Sequence, residues 1–375
     1  MVLVYREADL NQFPPVKKQD SRHLSLGDLH GNALKLIYIL VEEGVLELDE
    51  ARYKLLRDIY STEVNQLTAE QLGSFQEIIK HAQVNPEKAI TLIGDELADR
   101  GNNDYFTLLV LKKLHDSKVN LNILLSNHSA EFIRDYDNPH FTGFYNLTLG
   151  QGQSLARMQF LIGKGLINEA EVRAIIKDCY IPKVKAISYS LSPDGDITLF
   201  SHAPIGLETI QALAKKFNLP YNDKTPKQLI NTIDSINAVI ERLFTRKQLS
   251  ALIDGEGYHA DPHSPVPPNS KPLQRLIWNR VVGNELITET NSRIKINFVH
   301  EHIGDGEILK NGQPLPSHQN LDNSWGKFPQ VYTTGYSSYL DTDVNHFTRH
   351  SNDLNSLEMT DTLWRDISNF KKRYK

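Results

Sequence analysis

Three short apolar runs in this chain each stop at a loop loaded with carboxylate, amide and imidazole groups. His23–Leu26 runs into Gly27-Asp28-Leu29-His30-Gly31-Asn32, and Ala89–Ile93 into Gly94-Asp95-Glu96-Leu97-Ala98-Asp99-Arg100-Gly101. Val119–Leu125 runs into Ser126-Asn127-His128-Ser129. Two later runs end on histidine, in Phe200-Ser201-His202-Ala203-Pro204 and Phe298-Val299-His300-Glu301-His302. Short apolar runs that end at glycine and alternate with helical periodicity predict strands in a layered α/β fold with sheets in the middle.

The remaining segments fit between these runs. Apolar residues at Leu36, Ile37, Leu40 and Val41 predict a helix over 33–43, and 105–115 has the same spacing. Residues 45–88 read as an insertion of two or three charged helices, and 206–256 as a second helical insertion. Residues 150–180 are also helical in pattern. Lys185–Leu191, the turn Pro193-Asp194-Gly195-Asp196 and Ile197–Ser201 predict strand, turn, strand. Later strands are expected at 294–299 and 331–334, after a proline-rich loop at 261–272. The expected organisation is a polar leader at 1–22, one domain over 23–350 and a basic helical tail at 351–375.

The loop chemistry narrows the function. An Asp and a His two positions apart in a glycine-flanked loop can face one ion, and oxygen with imidazole suits Mn, Fe or Zn better than Ca. Asp99-Arg100-Gly101 adds a second carboxylate and a guanidinium, the planar cation suited to paired phosphoryl oxygens. Asn127 offers a neutral oxygen, and His128 a proton. Alone, an Asn-His pair is usually a loop contact and a strand-end histidine usually structural. Five such motifs in one chain favour a metal site.

In that order the motifs resemble the PPP metallophosphatase family, over roughly 24–340. The stretch from His300 to Gly306 resembles the family's His-x-x-x-x-Asp-Gly. Ile277-Trp278-Asn279-Arg280 resembles its tryptophan segment, and Tyr336-Ser337-Ser338-Tyr339 sits where its Ser-Ala-Pro-Asn-Tyr loop falls. The resemblance implies a two-sheet metallophosphoesterase sandwich flanked by helices, with helical insertions. It implies two divalent metal ions, manganese foremost, with iron and zinc suited by the same ligands. Asp28 and His30 would hold the first metal, Asp95 would bridge, and Asn127, His202 and His300 would hold the second. His128 would protonate the leaving oxygen with Asp99 orienting it. Arg100, Arg280 and Asn127 would contact the phosphoryl group. Attack would come directly from a hydroxide between the two metals, on a phosphomonoester of serine, threonine or tyrosine in a phosphorylated protein. Strand alternation puts His300 and His302 on one face, and the family match selects His300.

Two departures matter. The family has two residues between the bridging Asp and the next Asp. Here Glu96, Leu97 and Ala98 intervene, so a bulge must absorb one for Asp99 to remain beneath His128. The family's Gly-Asn-His-Glu is Ser126-Asn127-His128-Ser129. Both departures resemble divergent bacterial members, including effector phosphatases that intracellular pathogens secrete into a host cytosol.

Composition sets outer bounds. A net charge of −5 argues against a nucleic-acid coating role. No run is long and apolar enough for an integral membrane segment, none near the start has signal-peptide length, and a single cysteine, Cys179, suits a cytoplasmic or other reducing compartment. Cys179 to Lys185 has the spacing of a cysteine-nucleophile phosphate loop but ends in Lys and lacks a glycine cradle, so Cys179 reads as packing. His259, Asp261 and His263 form a second, weaker cluster. A nucleotide or dinucleoside-polyphosphate hydrolase on the same fold is the alternative activity. A silent phosphopeptide-binding module fits less well, because it would not need His128 or a full ligand set. The oligomeric state is not legible.

Overall fold

Parallel strands need crossovers of a dozen residues or more, and the spacing of the apolar runs supplies them. The structure, a computed structural model, describes residues 2–3, 6–16, 23–141, 151–192, 194–257, 265–280, 294–302, 309–310, 313–314, 317–322, 327, 334–337, 339–341 and 346–347. Strands β1 (His23–Leu26), β2 (Ala89–Leu92), β3 (Leu121–Leu124) and β4 (Val184–Lys185) run parallel in that spatial order. On the far side of β1 the sheet continues through antiparallel Tyr339–Asp341, then His346–Phe347 and Val2–Leu3. Arg6–Asp9 pairs with Thr334–Ser337, so the segment read as a leader supplies strands. Residues 351–375 lie outside the described residues.

The second sheet holds β5 (Ser188–Leu191), β6 (Ile197–Phe200), β7 (Ile296–His300) and β8 (His318–Asn320). Strands β6, β7 and β8 are parallel, and β5 and β6 form an antiparallel pair. The sequence predicts one strand over Lys185–Leu191, but the structure divides it between the two sheets. Asn237 causes the break. Its Oδ1 accepts from Ala186 N (2.8 Å) and Ile187 N (3.3 Å), and its Nδ2 donates to Ile187 O. One distant side chain thus replaces a stretch of ladder.

Helices cover the sheets. The first is α1 (Ala33–Glu42), buried along its whole length and capped by Asn32, whose side chain accepts from Lys35 N. The first insertion forms α2 (Glu50–Tyr60) and α3 (Ala69–His81). An antiparallel ribbon of Leu46–Glu47 with Gln83–Val84 closes its base. Next come α4 (Asp104–Asp116), α5 (Asn127–Asp137), α6 (Gln153–Gly163) and α7 (Glu169–Ile175). The second insertion forms α8 (Leu207–Lys216), α9 (Pro226–Thr245) and α10 (Leu249–Asp254), followed by α11 (Pro272–Trp278). Cys179 is buried in a π-helical turn, Ile176–Tyr180, and makes no disulfide. No helix among the described residues is long and apolar enough to cross a membrane.

The main apolar core spans both sheets and their helices. A second, smaller cluster joins Ile93, Leu124, Phe200, Val299 and Leu321. These five come from the ends of β2, β3, β6, β7 and β8. The carboxyl ends of strands from both sheets therefore meet over one dry patch, and the loops beyond them face one another.

Candidate active site

The first two strand-end loops are zipped together by backbone. Gly31 N donates to Asp95 O (2.8 Å) and Gly101 N to His30 O (2.7 Å). A Cβ at Gly101 would overlap the Gly31 carbonyl. Within these loops His30, Asp95 and Ala98 have φ of +56°, +50° and +55°. Side chains rarely adopt this region, and it persists where surrounding contacts over-determine it. The left-handed turn at Ala98 absorbs the residue that the loop has in excess. Both Asp104 carboxylate oxygens accept from Ala98 N, at 3.0 and 3.2 Å. Glu96 is anchored in the core, where its carboxyl accepts from Tyr180 Oη at 2.5 Å and burial pushes its pKa up to about 8. With the bulge formed, Asp99 lies beneath His128, Oδ1 to Nε2 at 3.4 Å.

Helix α5 begins at the third loop. Ser126 caps it, with its hydroxyl accepting from Ser129 N, which puts Asn127 and His128 in the first turn beside the other two loops. His202 follows β6. Its Nδ1 faces Ile93 O at 3.2 Å, so that nitrogen carries the proton and Nε2 presents a lone pair. That lone pair faces Asn127 Oδ1 at 2.8 Å, His302 Nδ1 at 3.2 Å and Asp95 Oδ1 at 3.6 Å. Asp28 Oδ1 and Asp95 Oδ1 are buried with no hydrogen-bond partner among the described residues. Acceptors converging on acceptors in a buried space fit a bound cation. The ligand atoms of Asp28, Asp95 and His202 all lie within 4.8 Å of one another, as do those of Asp28, His30 and Asp322. His30 Nδ1 is 3.2 Å from Asp99 Oδ2, an outer hydrogen bond of the kind that orients a ligating imidazole.

Electrostatics agree with that fit. Burial, then the Asp322 and Glu301 carboxylates, hold Asp28 well above the usual carboxylate range. Burial lowers the imidazoles of His30, His202 and, most strongly, His302, which also faces His202 and Arg280. His128 goes the other way. Burial pulls it down, but the Asp99 and Asp95 carboxylates more than offset this and raise it. Its Nδ1 faces Ala98 O at 2.9 Å. Asp99 is lowered in spite of burial, by His128 and by Arg100, whose Nη1 donates to Oδ1 at 2.6 Å.

The structure gathers Asp28, His30, Asp95, Asp99, Arg100, Asn127, His128 and His202 around one centre. Arg280 reaches its edge, with Nε 3.3 Å from His302 Nε2. His300 is not brought into the set. It sits at the end of β7 with Nδ1 3.2 Å from Glu301 O, and joins no His/Asp/Glu triad among the described residues. His302 stands beside His202 instead. Alternation fails here because β7 ends at His300 and His302 takes a left-handed φ of +73°, with its ring beside that of His202.

Sequence reasoning also missed Glu301, whose Oε1 accepts from Asp28 N at 2.5 Å, Lys35, whose Nζ donates to Asp28 O at 2.5 Å, and Asp322. The placement of Glu301 between two histidines was a usable signal; Asp322 carried none. A cavity of about 190 Å³ adjoins Asn127, between Glu131, Arg134 and Trp278. His259, Asp261 and His263 lie outside the described residues.

Together the mixed α/β fold and its strand-end site define a phosphatase. Residues 89–327 match the family described as WipA-like, phosphatase domain, and the chain belongs to that family. Among solved structures it is similar to the phosphatase domain of the Legionella effector WipB, at 30% sequence identity and a TM-score of 0.65, covering 76% of this chain and 99% of that one. No curated protein matches the chain. The α/β and phosphatase expectations both stand.

Proposed function

We propose that the chain is a metal-dependent phosphoprotein phosphatase of the PPP type, holding two divalent ions, with manganese the first choice. The observation that carries this is the convergence of His202 Nε2, Asn127 Oδ1 and Asp95 Oδ1, three acceptors that face one another in a buried space. Divalent ions held there would supply charge to the phosphoryl oxygens and acidify a water for in-line attack. The chain's own groups do the rest. The guanidinium of Arg100, held by Asp99 at the rim, would supply positive charge to the phosphoryl oxygens. His128, whose pKa Asp99 and Asp95 raise against the effect of burial, delivers its Nε2 proton to the leaving oxygen, and the Ala98 carbonyl fixes the ring while it does so. Delivery into a host cytosol, where phosphorylated proteins would be the substrate, is supported by the likeness to the WipB effector domain.

The test is chelation followed by addition of Mn, with an aryl phosphate, a phosphopeptide panel and nucleotides as substrates. Loss and recovery of phosphopeptide turnover is expected. Turnover indifferent to both treatments would falsify the metal reading, and turnover of nucleotides alone would exclude the phosphoprotein.

A further inference from the structure

We propose that Asp322 is a direct ligand of the metal position formed by Asp28 and His30, so that the two metal positions differ in chemistry. The inference rests on the two-metal reading above. It starts from topology. Strand β8 lies parallel to β7, with His300 opposite Asn320, so residues just beyond β8 emerge on the same rim as His302. Asp322 is two positions past that strand end.

Packing fixes where Asp322 can go. Leu321, 1% exposed, belongs to the small apolar cluster beneath the rim, and its N–H donates to His300 O at 2.9 Å. Its carbonyl lies against Gly27, where any Cβ would overlap it and come within 2.7 Å of Glu301 Oε1. Gly27 is therefore the residue that lets this segment approach the first loop. Asn320 Oδ1 accepts from Asp322 N at 3.0 Å and sets the turn. The result is a buried Asp322 whose carboxylate, Asp28 and His30 have ligand atoms mutually within 4.8 Å.

A second observation points to an ion. Asp28 is 3% exposed, and its Oδ1 has no hydrogen-bond partner among the described residues. Two carboxylates and an imidazole nitrogen at this separation form a donor set that suits a divalent ion, with the Lys35 ammonium, which donates to Asp28 O, beside it.

With Asp95 shared, the first position has carboxylate oxygens from Asp28, Asp95 and Asp322 and one nitrogen from His30. The second has Asn127 and His202 around the same Asp95, with the His302 ring beside His202. Oxygen-rich sets suit Mn or Mg, and imidazole-rich sets suit Fe or Zn. The first position should therefore be the manganese-selective one.

The experiment titrates metal-free protein with Mn by calorimetry and counts bound metal by elemental analysis, for wild type, Asp322→Asn and Asp28→Asn. Wild type should bind two Mn per chain. Asp322→Asn should keep one site and weaken the other by about tenfold or more, a loss of the size seen when metal-site partners are removed. Asp28→Asn should weaken that same site. The melting temperature of the metal-free protein separates a ligand from a structural residue. As a ligand, Asp322→Asn relieves repulsion, and the metal-free melting temperature holds or rises. An unchanged Mn isotherm together with a lowered metal-free melting temperature would make Asp322 structural and overturn the assignment. Wild type that binds no metal would overturn the two-metal reading and this inference together.

Discussion

The rim loops and the first helical insertion are folded by opposite means. Helices α2 and α3 use ordinary local chemistry. Asp49 caps α2, a reciprocal Thr68–Gln71 capping box starts α3, and single apolar stripes (Tyr53, Leu56, Ile59 and Tyr60, then Leu72, Phe75 and Ile79) face inward. The rim instead buries carboxylates and imidazoles and holds His30, Asp95, Ala98 and His302 at positive φ. The two regions meet at Asn102, whose N–H donates to Tyr60 Oη at 2.9 Å. Stability comes from the capped, apolar parts, and the site is held against its own preferences by contacts around it.

The largest effect should be chemical. His128→Asn should cut kcat on an alkyl phosphoester by about a hundredfold or more, as expected for a lost general acid. The loss should be far smaller on an aryl phosphate, whose leaving group needs little protonation. Equal losses on both would move His128 from chemistry to structure. Gly101→Ala tests whether the rim is over-determined. A Cβ there must displace the Gly31 backbone, and a cost of about 2–4 kcal/mol in urea unfolding is expected, with loss of activity. Wild-type stability in that variant would show that the loops are not locked together.

Acid should act through the second sheet. Burial depresses His318 to about 3 and His300 to about 4, and His318 stacks on Phe298 at 4.6 Å. Unfolded histidine takes a proton below about 6.5, while these folded rings stay neutral. Their stability contribution is therefore full above that pH and is lost as pH falls toward the folded values. On going from pH 7.5 to 5, His318→Phe should lose about 1–2 kcal/mol less than wild type. Parallel pH curves would refute this. The smallest effect belongs to the insertion: Thr68→Ala should cost about 1 kcal/mol and leave kcat on an aryl phosphate unchanged. A fall in kcat without a fall in stability would mean that the insertion reaches the chemistry.

What was legible in the sequence was local. Gly27-Asp28-x-His30, Asp99-Arg100-Gly101 and Asn127-His128 announce themselves because their polar residues are neighbours in one short loop. The bulge that keeps Asp99 in place was foreseeable as a need, but its solution at Ala98 depends on Asp104, five positions beyond Asp99 on another element. Alternation put His300 and His302 on one face and the family match selected His300; β7 stops at His300, so the two do not share a face. Asp322 and Lys35 lie in ordinary-looking sequence, and their roles exist only once distant strands are adjacent. The split of the predicted strand at 185–191 has the same origin, in an Asn237 side chain from α9.

The rim draws on Asp28, Asp95, Asn127, His202, His302 and Asp322, separated by long stretches of chain. Parallel pairing of β1 with β2 has to wait for the whole first insertion, and β8 completes the second sheet late. Contacts so far apart in sequence form slowly, because loop closure costs entropy before pairing repays it. Catalytic competence is thus among the last properties the chain acquires. A nascent or threaded copy holds every reactive side chain and is still latent, and turnover reports that folding has finished.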